Sequence, residues 1–83
     1  MTCELVWADE ALAVAQIFMA DDPNGLAAVF DAVDELADDP RPASAFALGN
    51  PDLLRLRVGR YRVLYAVDER VVRIQVIHLG RGR

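Results

Sequence analysis

The sequence predicts a single α+β domain over residues 1–83, in which one strand and two helices precede a three-stranded antiparallel meander. In the first half, apolar residues recur at spacings of three and four, which is the period of an amphipathic helix. In the second half they alternate with polar residues, which is the period of a half-buried strand. With 83 residues and no long linker, the chain has room for one small core, formed by the helices packed on one face of the sheet.

Both predicted helices begin near an aspartate. The first covers residues 9–20, with Asp9 as its N-cap, and the second has Asp22 as N-cap and Pro23 as its first residue. The second helix ends at the Asp38-Asp39-Pro40 stretch. The apolar face of the first helix is predicted to contain Leu12, Ala15, Gln16 and Met19, and that of the second Leu26, Val29, Phe30, Val33, Leu36 and Ala37.

Four segments have the composition and alternation of strands. The first is residues 3–7, and the other three, residues 53–58, 61–67 and 71–79, form the meander. Residues 43–52 are predicted to be a loop.

The turn between the first two meander strands predicts their register. Gly59-Arg60 fits a two-residue hairpin turn with Gly at the first central position. That turn places an apolar set of side chains on the face that covers the helices, and it places Arg57 directly opposite Arg62 on the other face. The pairs predicted on the apolar face are Val58 with Tyr61, Leu56 with Val63, and Leu54 with Tyr65.

The uncovered face of the sheet, here called the open face, is predicted to be rich in arginine. For the next hairpin, a two- or four-residue connection buries Val72, Ile74 and Val76, whereas a three-residue loop would bury Arg73 and Gln75, so burial favours the former. Strict alternation then places Arg81 on the open face near Arg62 and His78 on the core side near Tyr61. The open-face set is Arg55, Arg57, Arg62, Arg73 and Arg81.

The charge is divided along the chain. Residues 1–40 contain ten carboxylates and no Lys or Arg, whereas residues 41–83 contain nine arginines and three carboxylates. A basic patch that survives folding would attract phosphates or an acidic partner, even though the net charge is −4. The alternative is that acidic helices pair with the basic sheet inside the domain, or that the arginines only keep the open face soluble.

The stretch from Leu56 to Asp68 resembles the signature hairpin of the RelE/ParE toxins. The loop containing Leu48-Gly49 and the closing segment from Val76 to Arg81 occur in the order that this family shows. The resemblance implies a strand-helix-helix-three-strand fold and an antitoxin that binds across the toxin. In RelE-like members it also implies cleavage of messenger RNA in the ribosomal A site.

The resemblance also implies roles for individual residues. Arg62 and Arg81 would stabilise the scissile phosphate, with His78 as the remaining candidate for a general base, while Arg55 and Arg57 would bind the RNA backbone. The predicted register adds Arg73 to these phosphate-binding residues. Arginine suits this task because its forked donors match phosphate oxygens and its charge does not titrate. The family pattern continues with further basic residues and a Tyr, whereas here Gly82 occupies one such position and the sequence stops at Arg83.

Two classes of function therefore remain open. One is a ribosome-dependent endoribonuclease, whose partners are a cognate antitoxin, the ribosome and messenger RNA. The other is a non-nuclease of the ParE kind that inhibits DNA gyrase, or a toxin that only binds its antitoxin; a homodimer is a further expected assembly. The single cysteine and the absence of Cys/His clusters predict no metal and no cofactor. The lack of a membrane span or signal peptide predicts a cytoplasmic protein.

Overall fold

The computed structural model describes residues 2–82 and contains two helices and a five-stranded mixed sheet. The strands lie in the order β1-β5-β4-β3-β2; β1 is parallel to β5, and all other neighbours are antiparallel. This confirms the predicted α+β order. The elements are β1 (Glu4–Trp7), α1 (Asp9–Asp21), α2 (Pro23–Glu35), β2 (Ala45–Ala47), β3 (Leu53–Val58), β4 (Tyr61–Asp68) and β5 (Arg73–Arg81).

The short strand β2 was not predicted, since it lies in the segment assigned to a loop. Its three residues are too few for alternation to be recognised, and the strand exists because Ala45 and Ala47 pair with Leu56 and Leu54 of β3. It adds an edge to the sheet and carries Phe46, which is 60% exposed, opposite Arg55 on the open face.

The core lies between the two helices and one face of the sheet. The α2 face is confirmed, with Leu26, Val29, Val33 and Leu36 all buried. In the sheet, every second residue of β3 and β4 meets the helices, so Tyr61 and Tyr65 are core residues with 2% and 0% exposure. The remaining buried sheet residues are Leu54, Leu56, Val63, Val67, Ile74, Val76 and Leu79.

Helix α1 packs through only part of the predicted face, since Ala15 is buried and Met19 packs against the core as predicted. Ala11 and Ala15 are buried, whereas Leu12 and Gln16 are exposed. Apolar residues surround much of this helix, so their spacing alone is compatible with more than one buried face. The small side chains of the alanines allow the backbone of α1 to pack close to its neighbours. The predicted N-cap is also displaced by one residue, because Ala8 is the N-cap and Asp9 is the first helical residue.

The junction between the helices is formed as predicted, with Asp22 as N-cap and Pro23 at the start of α2. One carboxylate oxygen of Asp22 accepts from the Gly25 amide at 3.1 Å, and the other accepts from the Tyr61 hydroxyl at 2.7 Å. The Tyr61 bond, followed by the Gly25 bond, lowers the pKa of Asp22. A Cβ at position 25 would lie 2.2 Å from the Asp22 carboxylate, so any other residue here would displace that carboxylate from its bonds to Gly25 and Tyr61. The cap therefore ties α2 to β4.

The register of the meander agrees with the prediction up to one irregularity in β5. Gly59 has a φ of 60° in a two-residue turn, and the predicted pairs Val58–Tyr61, Leu56–Val63 and Leu54–Tyr65 all occur. A four-residue connection then joins Asp68 to its partner Arg73. Between Leu64 and Tyr65 the ladder shifts, because Tyr65 pairs with Val76 and Leu64 with His78. Ile77 is thus an extra residue, and it forms a β-bulge.

Tyr65 gives the fold a pH dependence that can be measured. Its hydroxyl is buried and donates to the Pro40 carbonyl at 2.7 Å, and burial raises its pKa to about 12. In the unfolded chain a tyrosine ionises near pH 10, so the stability due to neutral Tyr65 is complete below about pH 10 and is lost as pH rises towards the folded pKa. We expect the free energy of unfolding in urea to fall more steeply above about pH 10 in the wild type than in Tyr65→Phe. Equal slopes would contradict this assignment.

Candidate phosphate-binding site on the open face of the sheet

Arg55, Arg57 and Arg62 are brought together on the open face, as the register predicted. All three are exposed and alternate with buried residues of β3 and β4, and Arg57 is directly opposite Arg62. Within residues 2–82, none of the three forms an ion pair with a carboxylate. Instead, the Nε of Arg57 donates to the Gly59 carbonyl at 3.3 Å. Their positive charge is therefore available to a ligand.

A shallow cleft, here called the arginine cleft, lies among these side chains. The turn residue Arg60 forms one wall and also contacts Asp22 at 3.4 Å. Like charges directly opposed across two strands cost roughly 0.2–1 kcal/mol per pair, so packing does not explain the cluster. An anion with several oxygens, such as a phosphodiester, would relieve the repulsion through forked hydrogen bonds. The cleft is lined by Arg55, Arg57, Arg60, Arg62 and Gly82.

Two of the predicted arginines lie outside this cluster. Arg73 is on the open face, but it pairs with Asp68, six positions along β4 from Arg62, which is roughly 20 Å at about 3.3 Å per residue. Its Nε donates to Glu4 at 2.7 Å. Arg73 therefore belongs to the far end of the face and is already paired with a carboxylate.

The prediction that Arg81 lies on the open face near Arg62 is wrong. The Ile77 bulge reverses the alternation, so Arg81 pairs with the core residue Tyr61 and turns towards α1. There its guanidinium donates to Asp21 at 2.6 Å, and its Cζ lies 4.4 Å from the centre of the Phe18 ring. The Asp21 bond, and then a bond with Tyr61, raises the pKa of Arg81. Arg81 therefore attaches the end of β5 to α1.

This placement predicts the behaviour of Arg81→Ala. Because the substitution removes the Asp21 ion pair and the Phe18 stacking but leaves the arginine cleft intact, we expect a lower melting temperature and unchanged phosphate binding. Thermal unfolding and titration with pyrophosphate measure the two effects separately. A variant that melts like the wild type but no longer binds pyrophosphate would contradict this role.

The same bulge overturns the predicted position of His78. Strict alternation placed it on the core side, but His78 is exposed on the open face opposite Leu64, and Leu79 occupies the core instead. A Cβ built on Gly80 would lie 3.5 Å from the His78 Nε2, so the imidazole lies beside that glycine. Gly80 in turn is the partner of Arg62. The bulge thus brings an imidazole to the border of the arginine cluster.

A second cleft adjoins the arginine cleft at this border, and it is here called the leucine cleft. It shares Arg55 and Arg62 with the arginine cleft. Its lining is Leu48, Arg55, Arg62, Leu64, His78 and Gly80. Sequence reasoning missed Arg60 and Leu48 as parts of this surface; the only signal was that Arg60 belongs to the hairpin turn beside Arg57 and Arg62.

The described part of the chain contains neither a metal-binding cluster nor a helix that could span a membrane. Among residues 2–82, no group of three or more His, Cys, Asp or Glu side chains could hold a metal ion. In the same range, neither helix is long and apolar enough to cross a membrane.

Comparison with known proteins identifies one family and one recurring fold. The family model described as the ParE toxin of the type II toxin–antitoxin system parDE matches residues 15–83. No curated protein matches the chain in sequence. Among solved structures, the archaeal RelE–RelB complex from Pyrococcus horikoshii OT3 contains a chain that is 25% identical, with a TM-score of 0.81 and coverage of 98% of this chain and 96% of that one.

Two bacterial structures show the same fold at lower identity. The toxin–antitoxin complex RelBE2 from Mycobacterium tuberculosis matches with 19% identity, a TM-score of 0.82 and coverage of 98% of this chain and 99% of that one. The YoeB dimer from Staphylococcus aureus matches with 11% identity and a TM-score of 0.77 over 100% of both chains. The arrangement of two helices on a mixed sheet is therefore shared by proteins that are distant in sequence.

Proposed function

Because the chain belongs to the ParE toxin family, among the RelE/ParE toxins of type II toxin–antitoxin systems, we propose that it is a toxin that cleaves messenger RNA on the ribosome. The observation that carries this proposal is a group of three guanidinium groups that form no ion pair within residues 2–82 and lie beside an exposed imidazole. A phosphodiester carries a negative charge that the guanidinium groups can neutralise, and its cleavage needs a proton acceptor such as the imidazole. The protein would act in the cytoplasm, where its target is translated.

In the proposed reaction, the ribose 2′-oxygen forms a bond to the adjacent phosphorus and the bond from phosphorus to the 5′-oxygen breaks. His78 accepts the proton of the 2′-hydroxyl, and the departing 5′-oxygen takes a proton from water. The products are a 2′,3′-cyclic phosphate and a 5′-hydroxyl. An imidazole suits this proton transfer because it can accept a proton near neutral pH.

The arginines would stabilise the charge that develops on the phosphate. Arg62 lies in both clefts and faces Arg57, so it is the residue we assign to the non-bridging oxygens of the transition state. Arg55 and Arg57 would hold the RNA backbone on either side. Since Arg81 contacts Asp21 and Phe18, we assign it no part in this chemistry.

The direct test incubates purified protein with ribosomes programmed with a defined messenger RNA and maps the 5′ ends that form. We expect cuts within the ribosome-bound codon and far less cleavage of the same RNA alone. A transcript that stays intact on ribosomes, with protein that is folded and growth-inhibiting in cells, would rule the proposal out.

A second candidate function follows from the family model, which is named after ParE. In that case the toxin would inhibit DNA gyrase without cutting RNA, and the arginine cleft would bind the phosphate backbone of DNA or an acidic surface. Gyrase supercoiling measured with added toxin separates the two. Inhibited supercoiling together with uncut RNA would favour this second function.

We also propose that a cognate antitoxin binds and neutralises the toxin, since the Mycobacterium relative is a toxin–antitoxin complex and the Pyrococcus relative is a RelE–RelB complex. An acidic antitoxin segment could pair with the exposed guanidinium groups of the open face and so compete with RNA for them. Self-association is a further proposal, based on the YoeB dimer. Sedimentation of the toxin with and without its antitoxin would measure both assemblies.

A further inference from the structure

Arg60 differs from the other three arginines of the arginine cleft because it has an internal carboxylate partner. In the part of the chain that the structure describes, the other three form no ion pair, whereas the Nη2 of Arg60 lies 3.4 Å from the Oδ2 of Asp22. Arg60 belongs to the hairpin turn at the end of the sheet, and 44% of its side chain is exposed. It therefore lies between two places for an anion, the Asp22 carboxylate and the cleft.

The contacts that hold Arg60 in the free protein are weak. Besides the long contact with Asp22, the Cζ of Arg60 lies 5.7 Å from the centre of the Tyr61 ring, close to the roughly 6 Å limit of a cation–π interaction. The ion pair between Arg81 and Asp21 is much shorter, at 2.6 Å. An exposed ion pair contributes little to stability, so the release of Arg60 from Asp22 has a small cost.

Asp22 stays hydrogen-bonded when Arg60 leaves it. Its Oδ1 accepts from the Gly25 amide at 3.1 Å, and its Oδ2 accepts from the Tyr61 hydroxyl at 2.7 Å. The Tyr61 bond and then the Gly25 bond lower the pKa of this carboxyl group more than Arg60 does. The carboxylate therefore remains ionised and capped without the guanidinium.

An anion in the arginine cleft offers Arg60 a better partner than Asp22 does. The cleft brings four guanidinium groups together, and in the free protein Asp22 offsets the charge of one of them. A phosphate presents several oxygens, which the forked donors of a guanidinium match with two hydrogen bonds. The contact with Asp22 is a single one at 3.4 Å. A bound phosphate should thus draw Arg60 away from Asp22.

We propose that Arg60 is a fourth phosphate-binding residue of the arginine cleft, and that it leaves Asp22 and closes on the anion when one binds. This inference rests on the proposed function only in taking a phosphate group as the ligand of the cleft. Asp22 then competes with the ligand for Arg60 and weakens binding. Neutralising Asp22 should therefore tighten the binding of a phosphate, but only while Arg60 is present.

The test titrates pyrophosphate into four proteins at low salt by calorimetry: the wild type, Asp22→Asn, Arg60→Ala and the double variant. Pyrophosphate has neither a base nor a ribose, so it reports on the arginines alone. We expect Asp22→Asn to bind it roughly threefold more tightly, as the loss of an exposed ion pair implies. Arg60→Ala should bind it on the order of tenfold more weakly, the usual effect of losing a charged hydrogen bond. Adding Asp22→Asn to Arg60→Ala should change nothing further.

Two control variants separate this exchange from a general effect of charge. Asp21→Asn makes the same charge change one residue away, at a carboxylate whose partner Arg81 does not line the cleft. Arg70→Ala removes an exposed arginine whose ion pair also measures 3.4 Å and which lies outside the cleft. Both variants should bind pyrophosphate as the wild type does.

Asp22→Asn should preserve the fold, because asparagine caps a helix about as well as aspartate does. Its amide oxygen can accept from Gly25, and its amide nitrogen can donate to the Tyr61 hydroxyl oxygen. The exchange can also be observed in the unchanged protein by NMR of the arginine Nε–H groups. We expect the Arg60 signal to shift as pyrophosphate saturates the cleft, and that of Arg73, which is paired with a carboxylate at the far end of the sheet, to stay in place.

Three results would overturn the inference. Unchanged pyrophosphate binding in Arg60→Ala, or an Arg60 signal that does not move at saturation, would remove Arg60 from the ligand set. Tightening by Asp22→Asn that persists without Arg60 would assign the effect to the charge of Asp22 alone. Weaker binding in Asp22→Asn would make Asp22 a residue that positions Arg60. Uncut RNA on ribosomes together with the expected coupling would refute the proposed reaction and support the exchange of Arg60.

Discussion

Arg62→Ala is expected to lower the rate of messenger RNA cleavage on ribosomes by on the order of 10²–10³, because it removes a preorganised donor from the charge that develops on the phosphate. Arg62 has no carboxylate partner among the described residues, and of the two arginines that line both clefts it is the one directly opposite Arg57. Arg62→Lys should recover only part of the rate, since an ammonium supplies the charge but not the planar fork. Single-turnover cleavage of a ribosome-bound transcript measures the effect.

The stability of the same variant distinguishes a functional role from a structural one. Arg62 faces Arg57 directly, so its removal relieves repulsion, and we expect Arg62→Ala to melt at the same temperature as the wild type or slightly higher. Arg70→Ala is the matched control, because Arg70 is an exposed arginine in the β4–β5 connection, away from both clefts, and should leave cleavage unchanged. Cleavage that falls equally in both variants would point to nonspecific loss of positive charge and contradict the assignment.

Most of the fold could be predicted from the sequence because, in most elements, the local sequence pattern and the burial of apolar residues favour the same conformation. The Asp22-Pro23 start of α2 and the Gly59-Arg60 turn each belong to a local pattern that determines a conformation, and both form as expected. Helix α1 is the exception, since Leu12 was predicted to lie in the core with Ala15 but is exposed, and packing against α2 and β5 buries Ala11 instead. Strand β2 depends entirely on its partner β3, which no local rule in its three residues could indicate.

The faces on which the site residues lie could be predicted only where the pairing between neighbouring strands is regular. Arg55, Arg57 and Arg62 lie on β3 and β4, where a two-residue turn sets the register without interruption. Beyond Val76, the extra residue Ile77 exchanges the faces, so the predicted sides of His78 and Arg81 are both reversed. Nothing in the sequence around Ile77 indicates a bulge, because no glycine or proline marks it. The bulge is nevertheless what makes His78 available to the site.

His78→Ala is expected to lower the single-turnover cleavage rate by roughly 10²–10⁴, the usual contribution of a positioned general base. The residue is exposed beside Gly80 and borders the arginine cluster, and it is the only histidine in the chain. Because the truncated side chain leaves space at an open cleft, added imidazole should restore part of the rate in His78→Ala and none in Arg62→Ala.

A role limited to stacking would give a different result for the same variant. If His78 only forms a wall of the leucine cleft, His78→Ala would weaken binding of the transcript and leave the rate at saturating protein close to that of the wild type. Ile77→Ala is the matched control, since Ile77 is the neighbouring exposed residue of the bulge and lines neither cleft. Because proton transfer acts on the rate of the bound complex and stacking acts on its formation, measuring cleavage across toxin concentrations decides between them.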